Sequence, residues 1–189
     1  AFSMEHCYQS SLYLHDSTDH ESDSFICCPG SHAWEDTDEY ISSPDRHHVS
    51  VPYTDQRVID TVSKLIIYSG EMILWDSRLA HMGGYISKPR KNTNGIEVKM
   101  LRLEPIDHDN FQKMKDELEQ NGLCLVKGVI LPEEIRELKE QLKKDISKIY
   151  NLPEANDWSE YPDDCYGRIN KGGGSWGPIA CSKTAWEAR

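Results

Sequence analysis

The chain is short of positive charge. Its 189 residues carry 21 Lys and Arg against 32 Asp and Glu, a net charge of −11. Nucleic acid and anionic membrane are recognised by clustered Lys and Arg, so neither is an expected partner. The one basic cluster, Lys88, Arg90 and Lys91, is too short to make a binding stripe. No apolar run approaches the ~20 residues that span a bilayer, so no membrane span is expected. The six cysteines are Cys7, Cys27, Cys28, Cys124, Cys165 and Cys181. None form Cys-x-x-Cys, and the neighbours Cys27 and Cys28 are poorly placed to bridge each other, which argues against a zinc finger and a disulfide framework. Scattered thiols in a reducing intracellular compartment are the simpler reading. There is no His-Glu-x-x-His helix for a zinc peptidase, and Gly172 to Ser175 lacks the Lys-Ser/Thr ending of a phosphate loop. The chain starts Ala1-Phe2-Ser3 with no signal-peptide pattern, which suggests a processed or truncated start.

The character of the sequence changes near residue 105, which predicts two segments, 1–105 and 106–189. The first reads as strands and loops. Gln9 to Leu14 and Ser24 to Cys28 are β-prone runs separated by the polar stretch Asp16 to Asp23. Lys64 to Tyr68 and Met72 to Trp75 read as a strand pair joined at the turn Ser69-Gly70. Glu97 to Leu103 alternates in the manner of a further strand. Short strands separated by turns suggest an antiparallel sandwich or barrel.

The second segment is helical. Asp107 is a candidate cap for a helix with Phe111, Met114 and Leu118 on one face and Gly122 at its exit. Leu123 to Lys127 reads as a strand. Pro132 opens a longer helix at a position that suits proline. Its apolar stripe is Ile135, Leu138, Leu142, Ile146 and Ile149, and its solvated face includes Lys139, Lys143 and Lys144. Residues 151 to 182 hold Pro153, Pro162, Pro178 and three glycines at 172 to 174, the composition of a loop or lid. Thr184 to Arg189 reads as the start of another helix.

Three residues invite a chemical reading. In Cys28-Pro29-Gly30-Ser31-His32, Pro-Gly makes a tight turn, Ser31 can bond the local backbone, and His32 is either a ligand or a loop hydrogen-bonder. His81 follows the apolar run Met72 to Trp75 and a polar turn, with Gly83 and Gly84 just beyond it. Small neighbours let a ligand approach closely, although a histidine after a strand is also a common structural feature. Arg90 could grip a carboxylate with its guanidinium fork, or be a solvated loop residue.

Tyr8 to Asp16, Phe25 to His32 and Gly70 to His81 resemble the C-terminal half of a phytanoyl-CoA dioxygenase-like protein. Gln120 to Leu138 resembles the N-terminal strand and helix of the same family. The order of the two parts is reversed relative to the family. The resemblance implies an α+β fold with a double-stranded β-helix (jelly-roll, cupin-like) core and flanking helices, in an incomplete or permuted form. It implies Fe(II) and 2-oxoglutarate as cofactors and hydroxylation of a small organic or acyl substrate. His81 would match the distal histidine that binds the metal, and Arg90 the arginine that clamps 2-oxoglutarate, although the strand expected to carry that arginine begins later, near Ile96.

The family's iron site is a His-x-Asp/Glu pair plus a distal histidine. None of the eight histidines here, at 6, 15, 20, 32, 47, 48, 81 and 108, has an acid two residues later. In the family the pair falls after the segment resembling Ala185 to Arg189 and before the one resembling His6 to Leu14, so both chain ends border the same gap. A circular permutation, a junction of tandem copies, or parts of a longer chain in an unusual order would each account for this. A tandem copy or a larger assembly would then supply the missing segments, and these residues alone would bind iron weakly. The alternative function is a catalytically inactive oxygenase-like scaffold or binding subunit of a larger assembly. A filled apolar surround at His81 would favour the scaffold, and an open polar one the enzyme.

Overall fold

The computed structural model describes residues 7–19, 22, 24–35, 51–52, 54–84 and 98–154. Arg90, Lys88, Lys91, Cys165, Cys181, the Gly172–174 run and the helix expected at Thr184 lie outside them. The chain divides after Ile130 into two units.

The first unit is α+β. One sheet has the order β1-β4-β8-β7, built from β1 (Tyr8–Leu12), β4 (Met72–Asp76), β7 (Ile106–Asp107) and β8 (Leu123–Lys127). The other has the order β5-β2-β3-β6, from β2 (Ser24–Cys27), β3 (Ser63–Leu65), β5 (His81–Gly84) and β6 (Lys99–Leu101). Both sheets are mixed: β7 runs parallel to β8 and β6 parallel to β3, while the other pairs are antiparallel. No closed barrel forms among the described residues.

Side-chain alternation along the strands shows why the sheets stack. Ile73 and Trp75 of β4, with Leu123 and Leu125 of β8, share one core cluster with Phe25 and Cys27 of β2 and Leu65 of β3. The alternate residues face outward into further apolar layers. Cys124 and Val126, with Met72 and Leu74, pack with Ile106 and with Met114 and Leu118 of α2 (Phe111–Asn121). On the other sheet, Ile26 and Cys28 pack with Val58 and Val62 in and beside α1 (Gln56–Thr61). The strands β2 and β8 are therefore buried on both faces, which explains why they read as continuous apolar runs. Fully burying one Ile or Leu contributes about 1.5–3 kcal/mol, so the buried Leu65, Ile67, Ile73, Leu123 and Leu125 make this inter-sheet core strongly stabilising.

Three sequence expectations need correction. Residues 64–68 and 72–75 do not pair, because β3 and β4 belong to different sheets. The backbone groups of the Ser69-Gly70 turn are taken by residues 13–17 instead. Gly70 N donates to Tyr13 O (2.7 Å), Tyr13 N to Glu71 O (2.9 Å), and Ile67 bridges Ser17. The turn carries the chain from one sheet to the other, and Ile67 and Ile73 both end in the shared core. Asp107 does not cap α2; Asn110 does, its side chain accepting from Lys113 N at 3.2 Å. Phe111 is 75% exposed and takes no part in the apolar face.

The second unit contains α3 (Pro132–Tyr150), which opens with proline as expected. Glu134 accepts from Leu131 N at 2.7 Å, satisfying a donor at the helix start. Ile135 and Ile146 of the stripe are buried. Lys143 departs from the solvated face assigned to it: it borders the stripe, is buried, and pairs with Glu140 at 2.7 Å. No helix of the described residues is long and apolar enough to cross a membrane.

Candidate functional site around His81

The turn between β4 and β5 sets the position of His81. Asp76 accepts from Arg78 N at 2.8 Å, an Asx-type turn, and Leu79 N returns to Asp76 O at 2.9 Å. The Arg78 guanidinium grips the same carboxylate through Nε (2.9 Å) and Nη2 (2.7 Å). These bonds hold the buried Asp76 carboxyl below the usual carboxylate range, with the Arg78 side chain the largest cause and burial opposing it. The chain then enters β5, where His81 lies opposite Cys27 across the antiparallel pair. Directly opposed residues share a face, so His81 sits on the inter-sheet side with Cys27 and Phe25.

Two aromatic rings hold the imidazole. Phe25 stacks on it with centroids 5.3 Å apart and planes 13° apart, and Trp75 lies against it at 5.4 Å and 60°. Nδ1 of His81 lies 2.7 Å from Leu79 O. A carbonyl only accepts, so the proton is on Nδ1, and in the neutral ring Nε2 carries the lone pair. Among the described residues Nε2 has no hydrogen-bond partner, and the residue is exposed. A ring tied back through one nitrogen and open at the other is the usual condition of a metal-binding histidine.

His32 is arranged the opposite way. Its Nε2 meets Glu119 O at 3.1 Å, so the proton is on Nε2, and Nδ1 is buried with no partner among the described residues. Gly30 N donates to Asn121 O at 2.8 Å. The 30–32 turn thus satisfies two carbonyls at the C-terminal end of α2, which would otherwise be orphaned. Gly122 is left-handed (φ 75°), and a Cβ there would fall against Nδ1 of His32. His32 lines a surface cleft of about 270 Å3 with Tyr8, Asp76 and Arg78, away from the aromatic packing on His81. Ser31, expected to bond its local backbone, instead accepts from Ala80 N at 2.7 Å, beside His81.

His81 therefore presents one open ring nitrogen, Nε2. Among the described residues no three of His, Cys, Asp and Glu come together as a metal-binding group. The thiols Cys7, Cys27, Cys28 and Cys124 are free. The importance of Phe25, Trp75, Asp76 and Arg78 was not anticipated from sequence. Only Asp76-x-Arg78, an acid opening a turn with a basic partner, left a signal there. A search of protein-family models, curated proteins and solved structures returns no match to the chain.

Proposed function

We propose that the chain belongs to a double-stranded β-helix oxygenase that uses Fe(II) and 2-oxoglutarate to hydroxylate a small organic or acyl substrate. The observation that carries this reading is the state of His81, with Nδ1 fixed to Leu79 O and Nε2 open. The stacked sheets support it, since the fold proposed places a metal-binding histidine at the mouth of such a core. His81 would hold the metal and Arg90 the distal carboxylate of 2-oxoglutarate. When bound, iron and 2-oxoglutarate supply the oxidising chemistry. The chain's own part is to fix the His81 tautomer, to exclude water on the Phe25 and Trp75 side, and to leave the open edge for ligands. The remaining metal ligands would come from polypeptide other than a His-x-Asp/Glu pair within these residues. The test is succinate production from 2-oxoglutarate by the native protein supplied with Fe(II) and oxygen. His81→Ala is expected to lower it about 100-fold or more. Equal rates in variant and wild type, or none in the wild type, would overturn the reading.

The second reading, a non-catalytic scaffold, is favoured by the missing pair and by the aromatic packing against the imidazole. It predicts a folded protein that makes no succinate under the same conditions.

A further inference from the structure

β1 is the longest of the strands at a sheet edge, five residues, and among the described residues it pairs on one side only, with β4. Its backbone direction is fixed at both ends. Ser77 N donates to Cys7 O at 2.8 Å, and Tyr13 N donates to Glu71 O at 2.9 Å. Odd-numbered residues therefore turn their amides and carbonyls toward β4, and alternation turns those of Ser10 and Leu12 away from it. No described residue bonds to these outward groups. Edges that face solvent are normally blunted by shortness, a lysine, a proline or a bulge. Two other edges here follow that rule: β7 has two residues, and β6 begins at the exposed Lys99. β1 has none of these devices. Its register with β4 is unbroken from Tyr8 to Leu12, and residues 7 to 14 contain no charge and no proline. Tyr8, Gln9, Ser10 and Ser11 are all exposed.

We propose that the outer edge of β1 is a strand-addition site whose occupant is β1 of a second copy of this chain, joined antiparallel about a two-fold axis at Ser10. Such a contact is isologous, so each residue must suit the one that the axis sets against it. Ser10 opposes Ser10 of the second copy, Gln9 opposes Ser11, and Tyr8 opposes Leu12. These are two hydroxyls, an amide with a hydroxyl, and an aromatic ring with an aliphatic chain, all favourable as cross-strand pairs. The outward amide and carbonyl of Ser10 bond those of its twin, and the sheet runs on through both copies. Charge selects this occupant. A chain of net charge −11 repels its own copy, so the two can meet only where charge is missing, as it is along β1. A basic partner would be drawn instead to acidic residues, and β1 offers none. The edge is short, so the dimer should depend on concentration. It is independent of what His81 binds.

Sedimentation equilibrium of the native protein, from micromolar to millimolar concentration, tests this. The wild type should approach twice the mass of one chain. Ser10→Lys sets two ammonium groups against each other and Ser10→Glu two carboxylates, so each variant alone should dimerise about 5-fold more weakly or worse. Both change an exposed side chain and should leave the fold intact. Mixed in equal amounts, they should pair more tightly than either does alone, because the axis then opposes unlike charges. Ser10→Pro removes an N–H that points away from β4, so it should abolish the dimer without breaking the ladder to β4. A wild type that stays monomeric overturns the proposal. So does a dimer that survives Ser10→Pro, or a mixture of the two charge variants that pairs no better than each alone.

Discussion

The hydroxyl of Ser31 accepts a hydrogen bond from the amide of Ala80 at 2.7 Å, tying the turn after β2 to the residue before His81. Cys28 N donates to Ala80 O at 2.9 Å, so both polar groups of Ala80 are held from the same segment. Ser31 is 1% exposed. Ser31→Ala leaves the half-buried Ala80 donor without its acceptor, which should cost about 1 kcal/mol. The check is the urea midpoint, expected to fall with the slope unchanged. A loss under about 0.5 kcal/mol would mean that the bond has little structural value.

The Asp76–Arg78 pair makes a prediction about acid. The Asp76 carboxyl is held below its usual range, chiefly by the Arg78 guanidinium. A carboxyl depressed in the folded state contributes stability that is present above its unfolded value, near pH 3.9, and is lost as pH falls through the folded value. Arg78→Gln removes the main cause while leaving Asp76 buried. Its acid-unfolding midpoint should lie at higher pH than that of the wild type, with the two proteins differing at neutral pH as well. Coincident acid-unfolding curves would contradict the assignment. Arg78 is half exposed, so raising salt should narrow the difference.

Gly122 and Gly30 separate backbone strain from crowding. Both are left-handed, at φ 75° and 81°, but a Cβ on Gly30 meets nothing within 4 Å, whereas one on Gly122 collides with His32. Gly30→Ala should cost about 1–2 kcal/mol from conformation alone. Gly122→Ala should cost more, and the excess should shrink in a His32→Ala background, as a double-mutant cycle would show. Additive effects would place His32 away from Gly122.

The four thiols among the described residues should react in a fixed order. Burial pushes Cys124 up to about 12 and raises Cys27 and Cys28 as well. Thiolate is the reactive form, so these three should resist alkylation at pH 8 until the protein unfolds, while the exposed Cys7 is modified before them. Mass mapping of iodoacetamide adducts against time checks the order. Early labelling of Cys27 or Cys124 would contradict the buried core.

Local signals in the sequence were sufficient for the elements that are locally determined. β8 was legible from an apolar run closed by Lys127, and α3 from Pro132 and its stripe, because caps and periodicity act over a few residues. Sheet membership was not. The Ser69-Gly70 turn looks like a hairpin because turn chemistry does not record which strands its flanks will meet, and residues 13–17 supplied the partners. The cap of α2 fell to Asn110 rather than Asp107 because Asp107 is held in β7 beside β8. At the site, His81 stood out through its strand, turn and glycines. Its tautomer depends on a carbonyl oriented by the Asp76 turn, and that property is not written in a motif.

The most direct test of the account is an anaerobic titration of the native protein with Fe(II) and 2-oxoglutarate, following their visible charge-transfer band in wild type, His81→Ala and His32→Ala. The account predicts a stoichiometric band that His81→Ala abolishes and His32→Ala leaves in place, since His81 has its Nε2 open whereas that of His32 is taken by Glu119 O. A band that survives His81→Ala, or no band in the wild type, would contradict it.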